Sequence, residues 1–140
     1  MNISWTARFF VLQSFVVFDL LVTWLSLSSL VEEGNIFARA FMGILGVPSG
    51  LVLFSGIVTL VLLLILWFCS HMFDNTCGMM KTVGIIALDF SLAWFVAGVH
   101  FVGGTSWFWF APELLRQFIG AGIYFVVLSA LWLGSVRNRW

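Results

Sequence analysis

Between Pro48 and His71 the chain carries no charged side chain, and nearly every residue is apolar. About 20 such residues in helical form cover the roughly 30 Å of hydrocarbon in a bilayer. A backbone in lipid must satisfy its own N–H and C=O groups, which only a helix or a closed barrel can do. Barrel strands alternate apolar and polar positions over about ten residues. This run does not alternate, so it reads as a helix.

Three other stretches have the same character: about Phe9 to Val31, about Thr82 to Val102, and about Pro112 to Gly134. With the run from about Ser49 to Cys69 they make four spans joined by short connections. The expectation is an all-α fold, a single domain over 1–140, built as an up-down-up-down four-helix transmembrane bundle. Pro112 suits the first turn of its helix, where a missing N–H costs nothing. The first span is longer than the 7–15 residues of a signal-peptide core and holds Asp19 near its middle, so it reads as a retained helix.

The composition agrees with this architecture. Of 140 residues, 62% are apolar and 9% charged, and the mean hydropathy is +1.12. A soluble domain is about 25% charged. Disorder would need low hydrophobicity and high net charge. A net charge of zero without a basic run leaves no footprint for nucleic acid.

An even number of spans puts both termini on one side. Arg8, Lys81, Arg137 and Arg139 then face one compartment, and Arg39 and Arg116 the other. The positive-inside rule puts the termini in the cytoplasm, which implies an inner or plasma membrane location. Cys69 and Cys77 would then be reduced thiols, with a spacing that matches no metal motif. Ile36 to Val47 is too short to span. Its stripe of Ile36, Phe37, Ala40, Phe41, Ile44 and Leu45 suits an interfacial helix at the outer headgroups. The run Trp107 to Phe110 would anchor that side, and Trp5 and Trp140 the inner side.

Ionisable groups inside hydrocarbon are costly and point to function or to helix pairing. Asp19, Asp89 and His100 are the three here. Asp19, Thr23 and Ser26 recur at helical spacing, and Asp89 and His100 share a face with Ala93 and Ala97 between them. From the inner side, Asp19 and Asp89 lie at depths of about 16 and 12 Å. The two carboxyls are therefore expected to face each other and share a proton. A polar track follows: Asp19, Thr23, Ser26, Asp89 and His100, ending in an outer cluster of Glu32, Glu33, Asn35, Arg39, Glu113 and Arg116. Either the track carries protons, cations or a ligand, or its groups only fix helix pairing.

His71 and His100 lie at opposite ends, so this chain alone cannot make a bis-histidine haem site. No catalytic residues emerge: the sequence holds no Gly-x-Ser-x-Gly elbow, HExxH or Walker loop. No cofactor or metal is expected; His100, with Glu33 or Glu113, is the candidate to hold a single pigment or metal.

Asp19-x3-Thr23 followed by Glu33-Gly34-Asn35-Ile36-Phe37-Ala38-Arg39 resembles a family of small prokaryotic four-helix polytopic membrane proteins of unknown function. The resemblance covers about the first 45 residues and the helix count; Ile36 stands where that family usually has proline. It implies fold and placement, and it singles out Asp19, Thr23, Glu33 and Asn35. Asn35 is a candidate cap for the interfacial helix.

Three functional classes remain. The leading one is a non-enzymatic accessory or scaffold subunit of a larger membrane complex, partnered by lipid and by other membrane subunits or copies of itself. The uncharged second span and the Ala93/Ala97 and Ala130/Gly134 steps support it. The second is a small transporter or proton- or ion-handling protein using Asp19, Asp89 and His100. The third is a pigment- or metal-binding subunit that uses His100.

Overall fold

A computed structural model describes residues 4–137 of the chain. Arg139 and Trp140, counted above as a topology signal and an inner anchor, lie outside the described residues. Five helices are described: α1 Trp5–Ser26, α2 Ile36–Leu45, α3 Val47–Asp74, α4 Gly78–Thr105 and α5 Glu113–Arg137. All but α2 are long and apolar enough to cross a membrane. The fold is an all-α bundle of four such helices, with the short α2 between the first two.

The spans differ at their ends from the expected limits, and local chemistry explains where. The first helix stops at Ser26 rather than near Val31. Serines compete for backbone hydrogen bonds, and the Glu32 carboxylate accepts from the Ser28 and Ser29 amides at 2.9 and 3.2 Å. That closes a short 3₁₀ turn, Leu30–Glu32. Asn35 then caps α2 as expected, its side-chain oxygen accepting from the Phe37 and Ala38 amides.

Gly46 alone joins α2 to α3, with φ of 82°. In that left-handed region a side chain would be strained, and glycine is not. Pro48 then opens α3, where its lost N–H has no intrahelical acceptor to miss. The two helices fold against each other so tightly that a Cβ on Gly50 would meet the Met42 backbone. Ala38 and Met42 pack on Leu51. The opposite face of α2, with Ile36, Phe37, Ile44 and Leu45, is exposed and free to lie in lipid.

Helix α1 is the centre of the bundle. It packs on α3 along one side and on the second half of α4 along the other, and α5 closes on α4 and α1. The main core is Val11, Leu12 and Phe15 of α1, Leu62 and Leu66 of α3, Leu92, Ala93 and Ala97 of α4, and Ala121, Tyr124 and Leu128 of α5. Ala93 and Ala97 are therefore the small residues over which the protein's own helices approach. At the same crossing, a Cβ on Gly120 would lie 2.6 Å from Cβ of Phe101.

Over Ala93–Gly98, α4 widens into a π-helical turn. Such a turn breaks the regular i→i−4 ladder and usually marks a functional or strained place. Gln117 of α5 meets it, its Nε2 donating to the Trp94 carbonyl at 3.3 Å.

The aromatic run after α4 divides by residue type. Phe108 and Phe110 are exposed, whereas Trp107 and Trp109 turn inward, onto Thr23 and Phe101. Of the four, only the phenylalanines are exposed as an aromatic belt requires. Trp5 likewise stacks on Phe73 at 6.3 Å and lies under the Arg8 guanidinium, rather than standing free as an anchor.

Candidate functional site

The polar groups expected to form one continuous track fall into two separate constellations. Helices α1 and α4 run parallel, and each carries an acidic and a basic position eleven residues apart: Arg8 and Asp19 on α1, Asp89 and His100 on α4. Eleven residues make three turns plus about 20°, so the two positions on α1 look out from one face. Each carboxylate pairs with the base opposite it, and both pairs span 81 residues of chain.

The first pair is closed. Arg8 donates from Nε to Asp89 Oδ1 at 2.7 Å and from Nη2 to Oδ2 at 2.8 Å, a two-pronged ion pair. Tyr124, the chain's single tyrosine, donates its hydroxyl to Asp89 Oδ1 at 3.0 Å. Arg8 is 2% exposed, Asp89 5% and Tyr124 0%. Three helices are thus tied together at one level by groups almost wholly enclosed by the protein. This arrangement replaces the expected Asp19–Asp89 pair. A carboxylate in low dielectric gains far more from an opposite charge than from sharing a proton with another acid. The Arg8 side chain, counted above only as a topology charge, is long enough to supply that charge.

The second pair is open. Asp19 Oδ2 and His100 Nδ1 are 2.7 Å apart, with 22% and 17% of their side chains exposed. While Asp19 is ionised it has no proton to give, so Nδ1 must carry the hydrogen. The carboxylate sits directly on Gly103, where a Cβ would come within 2.5 Å of Oδ1. Glycine there leaves the space that the acid occupies.

Both groups line a cavity of about 370 Å³ at the end of the bundle that carries the α1–α2 connection. Thr23 lies in its wall and accepts from Trp107 Nε1 at 3.2 Å. Glu32, Glu33 and Asn35 close it from the connection, and Glu113 and Arg116 from the start of α5. Glu33 Oε1 accepts from the Asn35 amide at 2.7 Å. Its pKa is raised from the ordinary carboxylate value: burial and the Asp19 charge push it up, against the Asn35 amide and the Arg39 charge.

Most of the expected outer cluster is therefore gathered with Asp19, Thr23 and His100. Three expected members stand apart. Ser26 is exposed and outside the cavity wall, Asp89 belongs to the closed pair, and Arg39 acts on Glu33 through its charge without lining the space.

Sequence reasoning missed Arg8, Tyr124, Trp107 and Gln117. One signal was available for Arg8. The matched eleven-residue spacings, with acid and base in opposite order on two parallel helices, already described two complementary pairs. Nothing in the sequence pointed to Tyr124 or Gln117, because their role depends on where α5 packs.

Chemically, the cavity offers an imidazole–carboxylate pair, further carboxylates, a hydroxyl, an indole and a guanidinium. It is equipped to take up a polar or charged group and to exchange protons with it. Among the described residues, no three His, Cys, Asp or Glu side chains gather as a metal site. His100, the candidate pigment or metal ligand, has Nδ1 engaged by Asp19. His71 lies exposed at the far end of α3, stacked on Trp67.

Compared with protein-family models, curated proteins and solved structures, the chain matches none of them.

Proposed function

We propose that this multi-pass membrane protein handles protons, exchanging them at the Asp19–His100 pair with a small polar ligand or with water in the cavity. The observation that carries this reading is the pair itself: an acid and an imidazole at 2.7 Å, partly open to a polar cavity between membrane-crossing helices. Ionisable groups in that setting are costly and by default mark proton or ion paths. Imidazole is also the side chain whose ordinary titration falls nearest neutral pH. Asp89 leaves the proton-handling set because it is committed to Arg8 and Tyr124. The resemblance noted above singled out Asp19, Thr23, Glu33 and Asn35, and all four line the cavity.

For orientation, the proposal keeps both termini in the cytoplasm of a cell with an inner or plasma membrane. Arg8 and Arg116 are buried, one at each end, so leaving both out of the count preserves the basic excess on the terminal side. The cavity then opens to the outer face.

The test uses purified full-length protein in liposomes loaded with a pH-sensitive dye, under a potassium diffusion potential. Proton uptake above that of empty liposomes is expected, and Asp19→Asn and His100→Gln each abolish it. Uptake equal to the empty control, or unchanged in both variants, refutes the reading.

A second reading, an accessory subunit of a larger membrane complex, draws on a different observation. Helix α3 has only 17% of its apolar window buried, and the Gly134 region of α5 is open. Co-purification of stoichiometric partner subunits in mild detergent would favour it. A monodisperse isolated chain would count against it.

A further inference from the structure

Arg116 is a buried cation with no carboxylate among the described residues in ion-pair contact. It is 6% exposed, yet it lines the cavity. Its Nη1 reaches only the Val102 carbonyl, at 3.3 Å, and its Nε has no hydrogen-bond partner. Leaving a guanidinium buried and part-satisfied costs several kcal/mol unless something supplies the missing acceptors.

The cavity's acids do not fill that role. Asp19 is bonded to His100, Glu32 accepts from the Ser28 and Ser29 amides, Glu33 accepts from the Asn35 amide, and Glu113 is exposed. Arg116 also stands in the first turn of α5, where the partial positive charge of a 25-residue helix collects. Its planar fork matches an oxyanion with two acceptor oxygens.

We propose that the cavity binds an oxyanion of the phosphate type on Arg116, carried either by a soluble anion or by an anionic lipid headgroup. This deepens the proton-handling reading and rests on the same cavity being a binding site. The imidazole of His100 would then share the cavity with a titratable or permanently charged anion.

Two probes separate the sources. Inorganic phosphate is titrated calorimetrically into the full-length protein in neutral maltoside detergent. Retention of phosphatidylglycerol, from bilayers mixed with phosphatidylcholine, is read by native mass spectrometry. Wild-type protein is expected to bind at least one probe, and Arg116→Gln to weaken that binding by about tenfold or more. Arg116→Lys keeps the charge without the fork and should fall between the two.

Phosphate binding alone identifies a soluble anion, and phosphatidylglycerol retention alone a headgroup. The proposal is overturned if the wild type binds neither probe, or if folded Arg116→Gln, or Arg116→Lys where the glutamine variant does not fold, binds as the wild type does. The proton reading fails separately. Proton uptake dependent on Asp19 and His100 without anion binding removes only the present proposal, and Arg116-dependent anion binding without proton uptake removes only the other.

Discussion

Removing either partner of the Arg8–Asp89 pair leaves a buried charge without its counter-ion, which typically costs about 3–5 kcal/mol. Arg8→Gln and Asp89→Asn should therefore lower the thermal unfolding midpoint sharply in detergent. The apolar double variant Arg8→Met/Asp89→Leu should recover most of the loss, because nothing charged is left to desolvate. A single variant as stable as the wild type would contradict the closed pair. Tyr124→Phe removes one hydrogen bond to a charged acceptor and should cost about 1–3 kcal/mol by the same measurement. Glu33 gives a pH signature instead. Burial, the largest cause, holds its pKa above the ordinary carboxylate value. The folded state therefore keeps a proton that the unfolded state has already released. The stability tied to that proton is fully present below the unfolded value and is lost as pH rises through the folded one. Unfolding midpoints across a pH series check this, and Glu33→Gln should flatten that part of the curve.

At the level of elements, the α2–α3 hairpin depends on the absence of a side chain at Gly50. A methyl group there meets the Met42 backbone, which cannot swing aside as a side-chain tip can. Gly50→Ala should cost about 1–3 kcal/mol as an overpacked contact. It should also speed amide exchange across Ile36–Leu45 relative to the spans. Asn35→Ala removes the α2 cap and should add a smaller loss of about 1 kcal/mol over the same segment. These elements also show what could be read beforehand. The uncharged run after Pro48, the interfacial stripe of α2 and the Asn35 cap are local properties, governed by residues within a few turns of one another. The early end of α1 is local too, but it hinges on Glu32 folding back onto Ser28 and Ser29, a choice that apolar periodicity does not register. The π-helical turn of α4 is supported from outside, by Gln117 on another helix, and no pattern within α4 announces it.

Across the whole molecule, the candidate site was half legible. The residues that matter were visible as the few ionisable groups in apolar helices, but depth arithmetic put Asp19 and Asp89 at nearly one level, whereas they pair with His100 and Arg8, an eleven-residue step apart along the bundle. Their partners were not visible, because partnership depends on the rotation of α1 against α4 and on where α5 closes. Asp89 was therefore expected to face Asp19, when the long arm of Arg8 and the Tyr124 hydroxyl had already claimed it. The bundle carries two unlike pairs: a buried ion pair that ties three helices together near the described termini, and a partly exposed acid–imidazole pair that lines a cavity at the other end. The most direct test of that division is proton uptake into dye-loaded liposomes by the exchanged variant Asp19→His/His100→Asp. The pair predicts that the exchange restores uptake that either single substitution abolishes. An exchanged protein as inactive as the single variants, or a single variant as active as the wild type, would contradict it.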